Sequence, residues 1–224
     1  MSAHPAAEPH GPIQEFGADL FWVRGSVKMG PAVRIPRNMF IVRSGDELTL
    51  ISAVRLSPEG ETELERLGRV RNVVKLGFFH GMDDAYTVER FGAAYWSLPG
   101  GSRPKEPKPD RELTPSSLPF EDAELFAFEK TRKKEAAILL KREGGVLLTC
   151  DSVQSWPDTS GCSPVAKLVT HFMGFTKRPA QIGPPWRKGM TPPGGSLRGD
   201  FERLAALDFK HLIGAHGAPL RDTA

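Results

Sequence analysis

Residues 77–86 read GFFHGMDDAY, and they follow directly on an apolar, β-branched run at 70–76, VRNVVKL. A run of that composition predicts a buried strand. The helix expected before it is well marked. Ser57 is a natural N-cap, Pro58 stands at the first helical position, Leu64 and Leu67 share a face, and Gly68 closes the C-terminus. Upstream, residues 48–51 (LTLI) predict another strand, which makes a strand–helix–strand unit of the parallel type. His80, Asp83 and Asp84 therefore fall just beyond the carboxyl end of a strand, where α/β folds gather ligands. A short helix is expected to begin at Asp83 or Asp84 and run towards Arg90, with another strand at 94–97.

The same grammar extends outward in both directions. Residues 20–23 (LFWV) and 39–42 (MFIV) are strand-like, and Ser44-Gly45-Asp46 supplies a hairpin turn before 48–51. After a proline-rich, charged stretch at 99–119, strands are expected at 125–128, 135–141 (EAAILLK) and 146–149 (VLLT), with a tight turn at Glu143-Gly144-Gly145. Residues 163–172 (SPVAKLVTHF) predict a helix capped by Ser163. A second proline- and glycine-rich loop at 177–196 leads to a last helix carrying Leu197, Phe201, Leu204 and Ala205 on its core face. A final strand at 211–215 (HLIGA) delivers His216 and Gly217. Neither half has enough strands to bury both faces of a sheet, so the expectation is one four-layered α/β domain over 18–224, preceded by a flexible leader at 1–17.

Composition narrows the function. The 224 residues are 39% hydrophobic and 25% charged, with a formal net charge of +3 spread among acids, which gives no footprint for nucleic acid. No apolar run reaches the roughly 20 residues needed to cross a bilayer. The amino-terminal residues lack the pattern of a secretory signal, and two cysteines, Cys150 and Cys162, make no disulfide framework, so a reducing cytoplasm is expected. No GxGxxG or GxxxxGK[ST] supports nucleotide binding, and no GxSxG elbow is present.

Three strand ends carry groups that suit a metal: His80 with Asp83 and Asp84, Asp151 after VLLTC, and His216 after HLIGA. Imidazole and carboxylate together fit Zn²⁺, Fe or Mn²⁺ if they converge. Each also has a plainer reading, as a cap, a turn or a core residue. Cys150 reads as a small buried hydrophobe, a soft ligand or a redox thiol, and His171 as a helix-surface residue or one that approaches the site. The loop QIGPPWRKGMTPPGG reads either as a lid over an anionic substrate or as a surface loop with Trp186 tucked onto the domain.

The order of these parts resembles the metallo-β-lactamase fold superfamily, an αββα sandwich built from two halves. HGMDDA at 80–85 falls where that superfamily carries HxHxDH, with Met82 and Ala85 standing at two of the histidine positions. TCD at 149–151 resembles its strand-end acid motif, and AHGAP at 215–219 its terminal histidine segment. The middle histidine expected just before EAAILLK is missing, and Glu129 and Glu135 are poor substitutes. The resemblance is to divergent branches with a reduced site. It implies metal ligands His80, Asp84, Asp151 and His216, with Asp84 and Asp151 also the catalytic candidates, for at most one divalent metal (Zn, Fe or Mn). It further implies a hydrolase-like protein acting on an ester, thioester or phosphoester through metal-activated water. The alternatives are a non-catalytic member of the fold that binds a small molecule or protein partner, and a redox protein akin to the iron-using members. No nucleic-acid or membrane partner is expected.

Overall fold

The structure, a computed structural model, describes residues 4–176 and 178–223. The first three residues of the expected leader, Lys177 at the start of the second proline-rich loop, and Ala224 lie outside the described residues. Among the described residues the larger sheet has seven strands in the order β1-β2-β3-β4-β5-β6-β7: β1 Ile13–Gly17, β2 Leu20–Gly30, β3 Val33–Ser44, β4 Glu47–Ile51, β5 Arg69–Lys75, β6 Ala94–Ser97 and β7 Arg111–Glu112. Its first four strands pair antiparallel and its last four parallel. The second sheet has the order β13-β10-β9-β8, from β8 Ala123–Ala127, β9 Ala136–Leu140, β10 Val146–Thr149 and β13 His211–Gly214. A two-stranded ribbon joins β11 Val153–Gln154 to β12 Gln181–Ile182.

Side-chain alternation builds the layers. Leu20, Trp22, Phe40, Val42, Val74 and Leu76 meet Ala136, Ile138, Leu140, Val146, Leu148 and Ile213 in a core between the two sheets. The intervening residues of the large sheet, among them Phe21, Val23, Met39, Ile41 and Val73, pack under α1 (Pro58–Leu67) and α2 (Asp84–Phe91) through Leu64, Val88 and Phe91. On the outer face of the second sheet, Ala137, Leu139, Leu147 and Leu212 meet α4 (Pro184–Met190) and α5 (Arg198–Ala205) through Trp186, Met190 and Leu204. Both faces of each sheet are thus buried, which is why the strands read as unbroken apolar runs. The fold is an αββα sandwich.

Three expectations change. The leader is not free to Gly17: Ile13–Gly17 is an edge strand, and the chain before it is pinned by Ser26 Oγ donating to the Pro9 carbonyl at 2.7 Å. His10 Nε2 accepts from the Ser57 backbone N–H at 2.8 Å, tying this segment to the start of α1. Strands β2 and β3 run far beyond LFWV and MFIV. Their distal half, with Val33 and Ile35, is covered by Ala166 of α3 (Pro164–Phe172) together with Trp156 and Phe175 from the segments on either side of that helix. The loop at 177–196 contains β12 and α4, whose Trp186 is buried against Phe128 and Phe201. That anchoring supports the tucked reading of Trp186 rather than a lid. His171 lies exposed on α3.

Candidate metal centre

Parallel pairing places two of the candidate side chains. Strands β10 and β13 are neighbours in a register that sets Thr149 opposite Gly214. Asp151 and His216 each follow two residues later, so both emerge at the same sheet edge on the same side. The link is reinforced by Ala215 N–H donating to the Thr149 carbonyl at 3.0 Å. From the other sheet, β5 ends at Lys75, Gly77 bridges to Glu135, and a tight turn closed by His80 N–H to the Gly77 carbonyl (3.2 Å) aims His80 across the gap.

The three side chains meet. His216 Nε2 lies 3.1 Å from Asp151 Oδ1, His80 Nε2 lies 3.4 Å from the same oxygen, and the two Nε2 atoms are 3.2 Å apart. In a tetrahedral site with bonds of about 2.0–2.2 Å, ligand atoms stand about 3.3–3.6 Å apart, so this triangle is close to one face of such a polyhedron. The tautomer of His216 sharpens the point. Its Nδ1 is 2.7 Å from the carbonyl of Pro36, which only accepts, so the proton sits on Nδ1. In the neutral ring the Nε2 lone pair then faces a carboxylate oxygen and a second imidazole nitrogen. The three atoms can be held together either by an N–H of His80 donating from Nε2 or by a metal ion, and a ligating histidine held through its other nitrogen is the usual second support.

The surroundings fix this geometry. Trp156 stacks on His216 at 6.4 Å between centroids and 15° between planes, and His80 meets His216 edge-on at 5.1 Å. Gln154 Nε2 donates to Asp151 Oδ1 (3.3 Å) and to the Asp151 carbonyl (3.2 Å), while its Oε1 accepts from Trp156 Nε1 (2.8 Å). The Asp151 and Ser152 backbone N–H groups both donate to Glu135 Oε1 at 3.2 Å. Cys150 is buried, and its Sγ lies within 4.8 Å of ligand atoms of His80 and Asp151.

Charge follows the same pattern. Burial pushes the Asp151 carboxyl up, but the two imidazoles outweigh it and hold it far below the usual carboxylate range. Burial pulls His216 down, yet its hydrogen bond to Asp151 and the charge there raise it overall. Glu135 is driven the other way, first by complete burial and then by the Asp151 charge, well above an ordinary glutamate. Among the described residues its Oε2 and the Trp186 Nε1 are both buried without a hydrogen-bond partner, although the indole N–H is near enough to favour the ionised carboxyl. Burial likewise raises the Cys150 thiol.

Asp84 is not brought into this group. It begins α2, and its Oδ2 accepts from Tyr95 Oη at 2.9 Å. It forms no ion pair with either histidine among the described residues, and its charged neighbours are Lys75, Glu106 and Asp83. The expected four-residue set therefore divides into a converging trio and one acid held by β6. Asp83 accepts from Arg37, in a buried ion pair, and from the Arg55 N–H at 2.7 Å. Met82 is half exposed and, like Ala85, offers no ligand. The supports that spacing does not reveal are Pro36, Gln154, Trp156 and Glu135. Only Glu135, as a charged residue opening an otherwise apolar strand, leaves a trace in the sequence.

No family model matches the sequence, and no curated protein does. Solved structures do. The DIM-1 metallo-β-lactamase exposed to ceftazidime superposes with a TM-score of 0.66 over 96% of this chain and 93% of that one, at 11% identity. The FIM-1 metallo-β-lactamase from Pseudomonas aeruginosa, in its mono-zinc form, gives 0.65 over 98% and 92%, at 14% identity. A metallo-β-lactamase from Hirschia baltica gives 0.63 over 94% and 93%, at 12% identity. At such identities the likeness speaks for the fold, and the chain has the metallo-β-lactamase fold in a divergent form.

Proposed function

We propose that this chain uses the metallo-β-lactamase fold to hold one divalent ion on His80, Asp151 and His216, and that it acts as a hydrolase-like protein on an ester, thioester or phosphoester. One observation carries the reading: two imidazole Nε2 atoms and a carboxylate oxygen converge within 3.1–3.4 Å while His216 Nδ1 is committed to Pro36. A divalent ion held there supplies a Lewis acid and a bound water of lowered pKa. Three protein ligands leave a position open, as catalytic rather than structural sites do. Asp151 stays ionised as an acceptor, Gln154 and Glu135 orient it, and Trp156 holds the plane of His216. Phe79 and Met82, both about half exposed on either side of His80, offer an apolar flank to whatever enters. No membrane-spanning helix occurs among the described residues, and the cytoplasmic assignment remains part of this proposal.

The second reading is a non-catalytic member of the fold with a proton in place of the ion. It is favoured by Met82 and Ala85, which remove two donors, and by the absence of any histidine at 128–135. Metal analysis of protein purified without chelator separates the two. The first reading expects near-stoichiometric metal that is lost in Asp151→Ala and His216→Ala. Protein without metal, and with a thermal midpoint unmoved by EDTA, sinks it in favour of the second.

A further inference from the structure

The side of the site next to Asp84 is built on different chemistry. Lys75, the last residue of β5, and Glu106, from the proline-rich crossover, form an ion pair whose side chains are 2% and 7% exposed. Arg103 holds Glu106 again, its backbone N–H and its Nε donating at 2.7 and 2.6 Å, and its Nη2 reaches the His80 carbonyl at 3.4 Å. Gly81 lies against both acids: a Cβ there would stand 2.7 Å from Glu106 Oε1 and 3.1 Å from Asp84 Oδ2. The Lys75 charge is felt by the Asp84 carboxyl and by the Cys150 thiol. The buried Lys75 ammonium is thus committed to Glu106. Gly81 brings Glu106 Oε1 and Asp84 Oδ2 to one place, with Asp84 Oδ1 buried and without a hydrogen-bond partner among the described residues. These two acids are the groups from which a second cation site would be made.

We propose that the Lys75 ammonium, fixed by Glu106, is the positive charge that stands near Asp84 and closes that half of the site to a second metal ion, so that the protein takes up one ion and no more. The physical reasons are two. Glu106, a carboxylate that a second ion would need, is already neutralised by the compact Lys75 ammonium and held again by Arg103. A divalent ion beside it would meet a like charge in a place where little water screens them. The crossover loop thus takes part in the site, because Glu106 holds the lysine and Arg103 touches the His80 turn. The proposal rests on the trio being a metal site.

Equilibrium dialysis against Zn²⁺, followed by metal analysis, tests it without reference to activity. Wild type is expected to hold one equivalent. Lys75→Met with Glu106→Gln, which removes the pair without leaving a lone charge, is expected to admit a second equivalent, and adding Asp84→Asn to expel it again. Asp84→Asn alone is isosteric and keeps the test open if the pair variant does not fold. It is expected to keep one equivalent with its affinity changed by less than about threefold, as for an independent site. Two equivalents in wild type, one in a folded pair variant, or a loss of about tenfold or more in affinity on Asp84→Asn overturns the proposal while leaving the trio intact. No zinc in wild type overturns the trio as a metal site and this inference with it.

Discussion

His216 donates its Nδ1 proton to the carbonyl of Pro36, 2.7 Å away, and so ties the last strand of one sheet to the third strand of the other. The two following residues of β3 continue the tie. Arg37 pairs with Asp83 beside the His80 turn, and Asn38 donates from Nδ2 to the carbonyls of Gly214 (2.8 Å) and Gly217 (3.2 Å). Three consecutive residues of a central strand hold both ligand-bearing loops, so their backbone path sets the spacing of the trio.

Gly217 is where that spacing has least tolerance. Its φ of +85° disfavours any L side chain, and a Cβ there would overlap the Ser155 carbonyl oxygen, which is backbone and cannot swing aside. Gly217→Ala is expected to cost about 3 kcal/mol in urea unfolding and to lower zinc uptake together with it. Unchanged stability would mean the terminal loop can shift without moving His216.

Arg37→Met strands Asp83 in the interior with, among the described residues, only the Arg55 N–H as a partner of its carboxylate. Breaking one side of a buried pair costs on the order of 3 kcal/mol, so the urea midpoint should fall clearly. Adding Asp83→Asn should recover much of the loss, since the uncompensated charge goes with it. Equal stability of the single and double variants would show that packing, not charge, is what Arg37 supplies.

Asp84 predicts a pH dependence of definite sign. Burial pushes its carboxyl from 3.8 up to about 6, against the pull of the Tyr95 hydroxyl and the Lys75 charge. The folded chain therefore binds this proton more tightly than the unfolded chain. The stability it contributes is full below pH 3.8 and is lost as the pH rises to about 6. Linkage puts the swing at about 3 kcal/mol. Asp151 and Glu106, whose carboxyls lie low, act in the opposite sense at more acid pH. The difference in unfolding free energy between wild type and Asp84→Asn across this window isolates the Asp84 contribution. A flat difference curve would contradict the burial of a chargeable Asp84.

Gln154→Leu removes the side-chain amide that donates to Asp151 while leaving the imidazoles in place. Zinc affinity should drop by roughly 10–100-fold with the circular dichroism unchanged. An unaltered affinity would mean that Glu135 and the backbone alone orient Asp151.

Much of the sandwich is legible in the sequence because its strands are buried on both faces, and LFWV, MFIV, LTLI, AAILL and VLLT read as continuous apolar runs. The capping signals of α1 and α3 are equally local: Ser57 and Ser163 accept from the third residue on, and a proline follows each. The parts that do not show are those whose burial comes from elsewhere. The edge strand IQEFG is half polar, the distal hairpin is broken up by Gly25, Ser26, Lys28 and Pro36, and α4 packs two prolines and a glycine into seven residues. At the site, acids and histidines at strand ends can be picked out as candidates by position alone. Which of them meet depends on partners distant in the chain. Tyr95, from β6, takes Asp84 to one side, and Lys75 and Glu106 announce nothing by their spacing.

The ligand turn at His80 and the one at His216 are 136 residues apart in the chain, and Pro36 and His216 are 180 apart. Contacts of such sequence separation pay their loop-closure cost late, so they belong to the last steps of folding rather than the first. A half-folded chain, with one sheet formed and the other loose, has no trio to offer. If the trio holds an ion as proposed, its capture would thus report that the two sheets have docked in register.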